Sequence, residues 1–190
     1  MTPAKALLLT PGAGADRNQA SLVAIDDALT RVGLTVSRMD FPYRLAGRKA
    51  PDRPPVLLQA VRDGAAALAE KASLKPATIA LGGRSMGGRI CSMAVADGLP
   101  AAALVLISYP LHPPGKPETL RIEHFPSLTV PCVFISGTRD AFGTPDELTQ
   151  ATKSIPSKVT HIWIEGGDHG LRRKDAEVAD SVRSWLISGH

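Results

Sequence analysis

"GGRSMGGR", residues 82–89, sets four glycines and two arginines around one serine and one methionine. It is entered from a short apolar run, ATIAL (77–81), and left through a longer Ala-containing one, ICSMAVA (90–96). An apolar run of strand length, a glycine-rich turn and a longer amphipathic stretch read as strand, turn and helix. Three uses fit such a turn: a phosphate cradle, a packing corner, or a mount for a nucleophile. A phosphate loop needs a lysine at the end of a G-x-x-x-x-G-K-[ST] spacing. Neither the spacing nor the lysine is present. Gly83-Arg84-Ser85-Met86-Gly87 instead spells G-x-S-x-G, and its strand-to-helix setting is the one this motif requires. Glycine two before and two after the serine removes side chains that would collide at a sharp turn. Taken alone, the motif supports only a tight turn.

Outward from this point the chain alternates short apolar runs with longer amphipathic stretches. Strands are expected at 5–9, 34–39, 77–81, 102–108, 130–136 and 158–164. Helices are expected at 18–32, 56–72, 86–97, 145–154 and 175–187. The helix at 18–32 is carried by Leu22, Ile25, Leu29 and Val32, and Gly33 closes it. Near-continuous apolar strands alternating with helices predict an α/β fold, a three-layer α/β/α sandwich of about six mostly parallel strands. The 190 residues fit one domain, 1–190. Two connections, around 42–55 and 109–128, are long and irregular. The stretch 109–128 is not long enough for a large helical cap.

Ligands of such sheets bind beyond the carboxyl ends of the strands, so reactive residues are sought there. Ser85 follows the third strand. Asp140, in SGTRDAFG, follows the fifth, and His169, in EGGDHGLR, the sixth. A serine hydroxyl needs a base and the base an orienting acid, and Ser, Asp, His is the order in which this chain supplies them. Asp140 also suits a turn or helix cap. Asp168 is a rival acid, but a neighbour in sequence is poorly placed to orient the imidazole. His112, His124, His161 and His190 are less suited as bases, His161 because it lies within a strand. The first strand end carries TPGAGADRN (10–18). Its small residues let backbone approach a ligand, which makes the amides of Ala13 and Met86 the candidate oxyanion donors. Gly12-Ala13-Gly14 with Asp40 after the second strand half-matches a dinucleotide site, but Arg17 occupies the third glycine position. That reading leaves Ser85, Asp140 and His169 unexplained.

Five quoted segments, TPGAGADRN, GGRSMGGR, SYPLHPPGKPE, VFISGTRD and IEGGDHGL, resemble the α/β-hydrolase superfamily. The narrower likeness is to the small branch of KANL and testis-expressed hydrolase-like proteins, near dienelactone-hydrolase-like enzymes. The resemblance runs from about Leu7 to Leu171. It implies a serine hydrolase-type Ser85–His169–Asp140 triad on a compact fold and says little about substrate; the residues themselves, with no cofactor implied, suit attack on a small ester or thioester. It also leaves open a non-catalytic module that binds a partner protein. Pro11 stands where larger members often have histidine, and Ser85 stands where dienelactone enzymes present cysteine.

Phe41, Tyr43, Tyr109, Leu111 and Phe142, in loops beyond strand ends, are the expected pocket lining. Arg84 and Arg139 suit either a substrate carboxylate or a nearby acid, with pairing to an acid preferred. The net charge is +4, and the basic residues are scattered except for Arg172-Arg173-Lys174, read as a solvated helix start rather than a nucleic-acid patch. Cys91 and Cys132 sit in apolar contexts and are expected to be buried free thiols, which favours a reducing, cytoplasmic setting. No apolar run approaches the ~20 residues that span a bilayer, and no metal-ligand cluster is visible.

Overall fold

The computed structural model describes residues 4–188; His190 lies outside them. Six strands form one sheet: β1 (Ala6–Thr10), β2 (Thr35–Arg38), β3 (Ile79–Arg84), β4 (Leu104–Ile107), β5 (Cys132–Gly137) and β6 (Val159–Ile164). Their order is β2-β1-β3-β4-β5-β6, and every pairing is parallel. The expected "mostly parallel" sheet is wholly parallel among the described residues.

The central strands are apolar throughout because both of their faces are covered. Leu8, Leu81, Leu104, Leu106 and Phe134 point to one side. There they meet α3 (Pro54–Ala72) and α4 (Met86–Ala96). Leu7, Leu9, Val105, Ile107, Val133 and Ile135 point to the other side. That face packs on α1 (Ala20–Thr30) and α6 (Asp175–Ile187). The alternation of faces along each strand is the two-residue period of the β backbone. Cys91 and Cys132 are buried free thiols, as read from their context. Loss of solvent pushes both thiols up to about 12, so neither is a ready nucleophile.

The structure trims and corrects several elements. α1 stops at Thr30, and Val32, counted among its apolar face, is 44% exposed. The connection after β2 holds a short helix, α2 (Pro42–Leu45), and α3 begins at Pro54 because two prolines suit the first helical turn. The helix expected at 145–154 is α5 (Pro145–Ala151) followed by a 3-10 turn, Thr152–Ser154. A Thr144–Glu147 capping box starts it. Between β4 and β5 there is only a 3-10 turn, Phe125–Ser127, so the regular alternation of strand and helix breaks at that crossover. Among the described residues no helix is long and apolar enough to cross a membrane.

Candidate active site

The turn at Ser85 is as sharp as its glycines suggest. Ser85 has φ 50° and ψ −117°, backbone that a side chain rarely adopts. Its N–H is held by the Ile107 carbonyl at 2.8 Å. The flanking glycines are steric necessities. A Cβ at Gly83 would stand 2.1 Å from Thr10 Oγ1 and 2.3 Å from its carbonyl oxygen. One at Gly87 would stand 2.5 Å from the Pro11 carbonyl oxygen. The strand-to-helix turn is therefore pressed against the end of β1, and the serine hydroxyl is lifted clear of it.

Ser85 Oγ lies 2.9 Å from His169 Nε2. His169 Nδ1 lies 2.9 Å from both carboxylate oxygens of Asp140. With Nδ1–H donating to the carboxylate, Nε2 is free to accept the serine proton. The Asp140 side chain is 1% exposed, and that of His169 is 21% exposed. Asp140 also accepts the Phe142 N–H at 2.8 Å, so the turn role and the partner role coexist in one residue. The Phe142 ring stacks on the imidazole, with centroids 3.9 Å apart. Asp168 is exposed and bonds the Leu171 N–H through its backbone carbonyl. The other imidazoles lie elsewhere: His161 meets Thr152, His124 meets Ser92, and His112 faces Glu147.

These residues open onto a cleft of about 480 Å³. Ala13, Arg84, Met86, Pro110 and Phe142 are among its walls. The loop after β1 is pinned on both sides of Ala13. The Gly12 N–H donates to Gln19 Oε1 at 3.1 Å, and the Gly14 N–H donates to Tyr43 Oη at 3.1 Å. Gln19 also borders the cleft. Sequence reasoning missed it, since a glutamine in a helix-entry loop carries no distinguishing signal.

Four expected pocket residues are corrected. Phe41, Tyr43, Tyr109 and Leu111 are 0–2% exposed and belong to the core beneath the strand ends. Large apolar side chains after strand ends have a lower free energy in the gap between loops and sheet than in water. Only Phe142 and Arg84 of that set reach the cleft. Arg84 does not pair with an acid as expected: its guanidinium donates to the backbone carbonyl of His169 and ties the histidine loop to the serine turn. Burial lowers its affinity for its proton, against the pull of Asp175, Asp140 and Asp168. Arg139 is exposed and outside the cleft. The half-matched dinucleotide motif is also accounted for. Asp40 accepts the Arg17 N–H at 2.7 Å and pairs with Arg17 Nε at 3.2 Å.

The sequence profile of the alpha/beta hydrolase domain matches residues 3–185. The chain belongs to the alpha/beta hydrolase family. Solved structures with the same fold include a dienelactone hydrolase from Anabaena variabilis, at 18% identity and TM-score 0.76, covering 98% of this chain and 87% of that one. An alpha-beta serine hydrolase homologue from Coxiella burnetii has 16% identity and TM-score 0.73, with coverage of 99% and 86%. A serine hydrolase without lid from Xanthomonas campestris has 17% identity and TM-score 0.71, with coverage of 99% and 82%. The narrower likeness to KANL and testis-expressed proteins rests on the quoted sequence segments alone.

Proposed function

We propose that this alpha/beta hydrolase is a serine hydrolase of small carboxylic esters or thioesters. The observation that carries the reading is the unbroken chain from Ser85 Oγ through His169 to Asp140, at 2.9 Å for each step, facing a cleft. In this reading Ser85 Oγ attacks the carbonyl carbon as His169 Nε2 takes its proton. Asp140 holds the imidazole and stabilises its positive form. The amides of Ala13 and Met86 receive the developing oxyanion. Met86 starts α4, so helix-end donors face the reacting atom. Support for Ala13 is that its neighbours' N–H groups, on Gly12 and Gly14, are already spent on Gln19 and Tyr43. Collapse of the tetrahedral intermediate breaks the bond to the leaving alkoxide or thiolate, which takes the proton from His169. Water, deprotonated by His169, then cleaves the acyl-serine bond and regenerates the hydroxyl.

Open access to the cleft supports small or exposed substrates. The stretch 109–128 sends Tyr109 and Leu111 into the core and has no helix beyond the turn Phe125–Ser127. The test is hydrolysis of p-nitrophenyl butyrate by wild type and Ser85→Ala, with a fluorophosphonate probe alongside. Serine-dependent turnover and labelling at Ser85 are expected. A folded wild-type protein that takes no label and matches Ser85→Ala in rate is instead a non-catalytic module.

A further inference from the structure

The cleft holds more positive charge than the reaction centre uses. Arg84 is committed to the His169 carbonyl, but Arg89 and Arg121 also line the cleft. Arg89 lies one helical turn after Ser85, and its N–H donates to the Ser85 carbonyl at 3.1 Å. Residues four apart share a helix face. Arg121 reaches the same cleft from the irregular stretch 109–128. Its backbone is fixed by the Tyr109 hydroxyl, which donates to its carbonyl at 2.6 Å, and by its own N–H, which donates to the Leu111 carbonyl at 2.9 Å. Its guanidinium reaches the Pro110 carbonyl only at 3.4 Å.

Six other arginines, at 17, 38, 44, 48, 62 and 183, each have a carboxylate within ion-pair distance. Among the described residues, Arg89 and Arg121 have none, as is also true of Arg31, Arg53, Arg84, Arg139, Arg172 and Arg173, but Arg89 and Arg121 line the cleft, and Arg89 Nε is buried without a hydrogen-bond partner. Burial, then the charge of Arg89, lowers the proton affinity of Arg121, so the two guanidinium groups sense one another. Glu123 is exposed and acts on Tyr109 and His124 without closing an ion pair to either arginine. Two like charges facing one partly desolvated cleft repel. An anion seated between them removes that cost and can be gripped by both planar forks.

We propose that Arg89 and Arg121 form an anion subsite, and that the ester taken by Ser85 carries a free carboxylate, as in a hemiester of a short dicarboxylic acid. The inference rests on the serine hydrolase reading of the same cleft. Met86, Pro110, Ala13 and Phe142 give the same cleft apolar wall, which suits a short hydrocarbon chain.

Two measurements test it. The first compares kcat/KM for mono-p-nitrophenyl glutarate and p-nitrophenyl butyrate, each corrected for spontaneous hydrolysis. Wild type is expected to favour the glutarate by about tenfold or more, the scale of charge-assisted hydrogen bonds. The ratio falls toward one in Arg89→Gln and Arg121→Gln and is partly kept in Arg89→Lys, with folding of each variant checked by circular dichroism. A ratio near one in wild type, or a preference that survives both glutamine variants, overturns the proposal. The second measurement needs no turnover: Ser85→Ala protein is titrated calorimetrically with monomethyl glutarate, methyl butyrate and inorganic phosphate. The hemiester is expected to bind most tightly and to lose that advantage when Arg121→Gln is added. A hemiester no tighter than the neutral ester overturns the subsite, and tighter phosphate overturns the carboxylate assignment. Serine-dependent butyrate turnover without glutarate preference sinks the subsite alone. Arginine-dependent hemiester binding without turnover of either ester sinks the hydrolase reading alone.

Discussion

At Gly83 the nearest atoms of Thr10 leave no room for a methyl group, since the built Cβ sits 2.1 Å from Thr10 Oγ1. Relief requires β1 and β3 to separate where they pair at Thr10 and Gly83. Gly83→Ala is therefore expected to lower stability on the order of 3 kcal/mol, read as a lower urea midpoint at unchanged slope. Asp140 offers a cleaner probe of chemistry. Asp140→Asn keeps the side-chain oxygen that accepts the Phe142 N–H but loses the charge that faces His169 Nδ1. It is expected to cut kcat on the order of 10³–10⁴-fold with little change in thermal midpoint. Steady-state kinetics beside a melting curve separate the two effects. That Ser85, Asp140 and His169 would meet was legible in the sequence, because each follows a strand of one parallel sheet, and the structure brings them within hydrogen-bond distance. Gln19 and Tyr43 were not legible as supports of the Gly12–Gly14 loop. A hydrogen bond between residues 29 apart, as from Gly14 to Tyr43, depends on how two loops cross and leaves no local pattern.

Elements, more than single residues, decide which side chains see the cleft. Side chains brace the loop after β1, the turn before α4 and the loop after β6. Tyr43 holds the first, and Arg84 joins the second to the third. Tyr43→Phe retains the buried ring and removes only the acceptor for the Gly14 N–H. It is expected to cost about 1 kcal/mol of stability and, if the loop after β1 serves as proposed, to lower kcat about ten- to a hundredfold by loosening that loop. A fall in kcat no larger than the change in folded fraction would assign Tyr43 to the core alone. The sequence placed aromatic residues at strand ends correctly and misjudged which way they face. Distance from a strand end says that a side chain is near the site, whereas loop packing says whether it turns toward solvent or toward the sheet.

Over the whole molecule, burial sets a pH limit on stability. Loss of solvent, reinforced by the charge of Arg89, lowers His124 from 6.5 to about 4, and burial lowers His161 as well. In the unfolded chain these imidazoles take up protons near 6.5, while the folded chain resists. The folded state therefore holds its full share of stability above about pH 6.5 and loses it progressively as pH falls toward 4. His124→Gln is expected to flatten this loss, measured as the dependence of the thermal midpoint on pH between 6.5 and 4. An identical slope in wild type and variant would remove His124 from the account.

The sequence by itself determined the parallel sheet, since continuous apolar strands demand cover on both faces. It also determined the sharp turn at Ser85, since GGRSMGGR has Gly83 and Gly87 where a side chain would strike the end of β1. Only the tertiary structure decided that Phe41, Tyr43, Tyr109 and Leu111 are core, that Arg84 ties loops together, and that Arg89 and Arg121 face one cleft without an acid. Those outcomes depend on contacts between distant segments, where burial and charge compete across loops. No spacing along the chain records which of them wins.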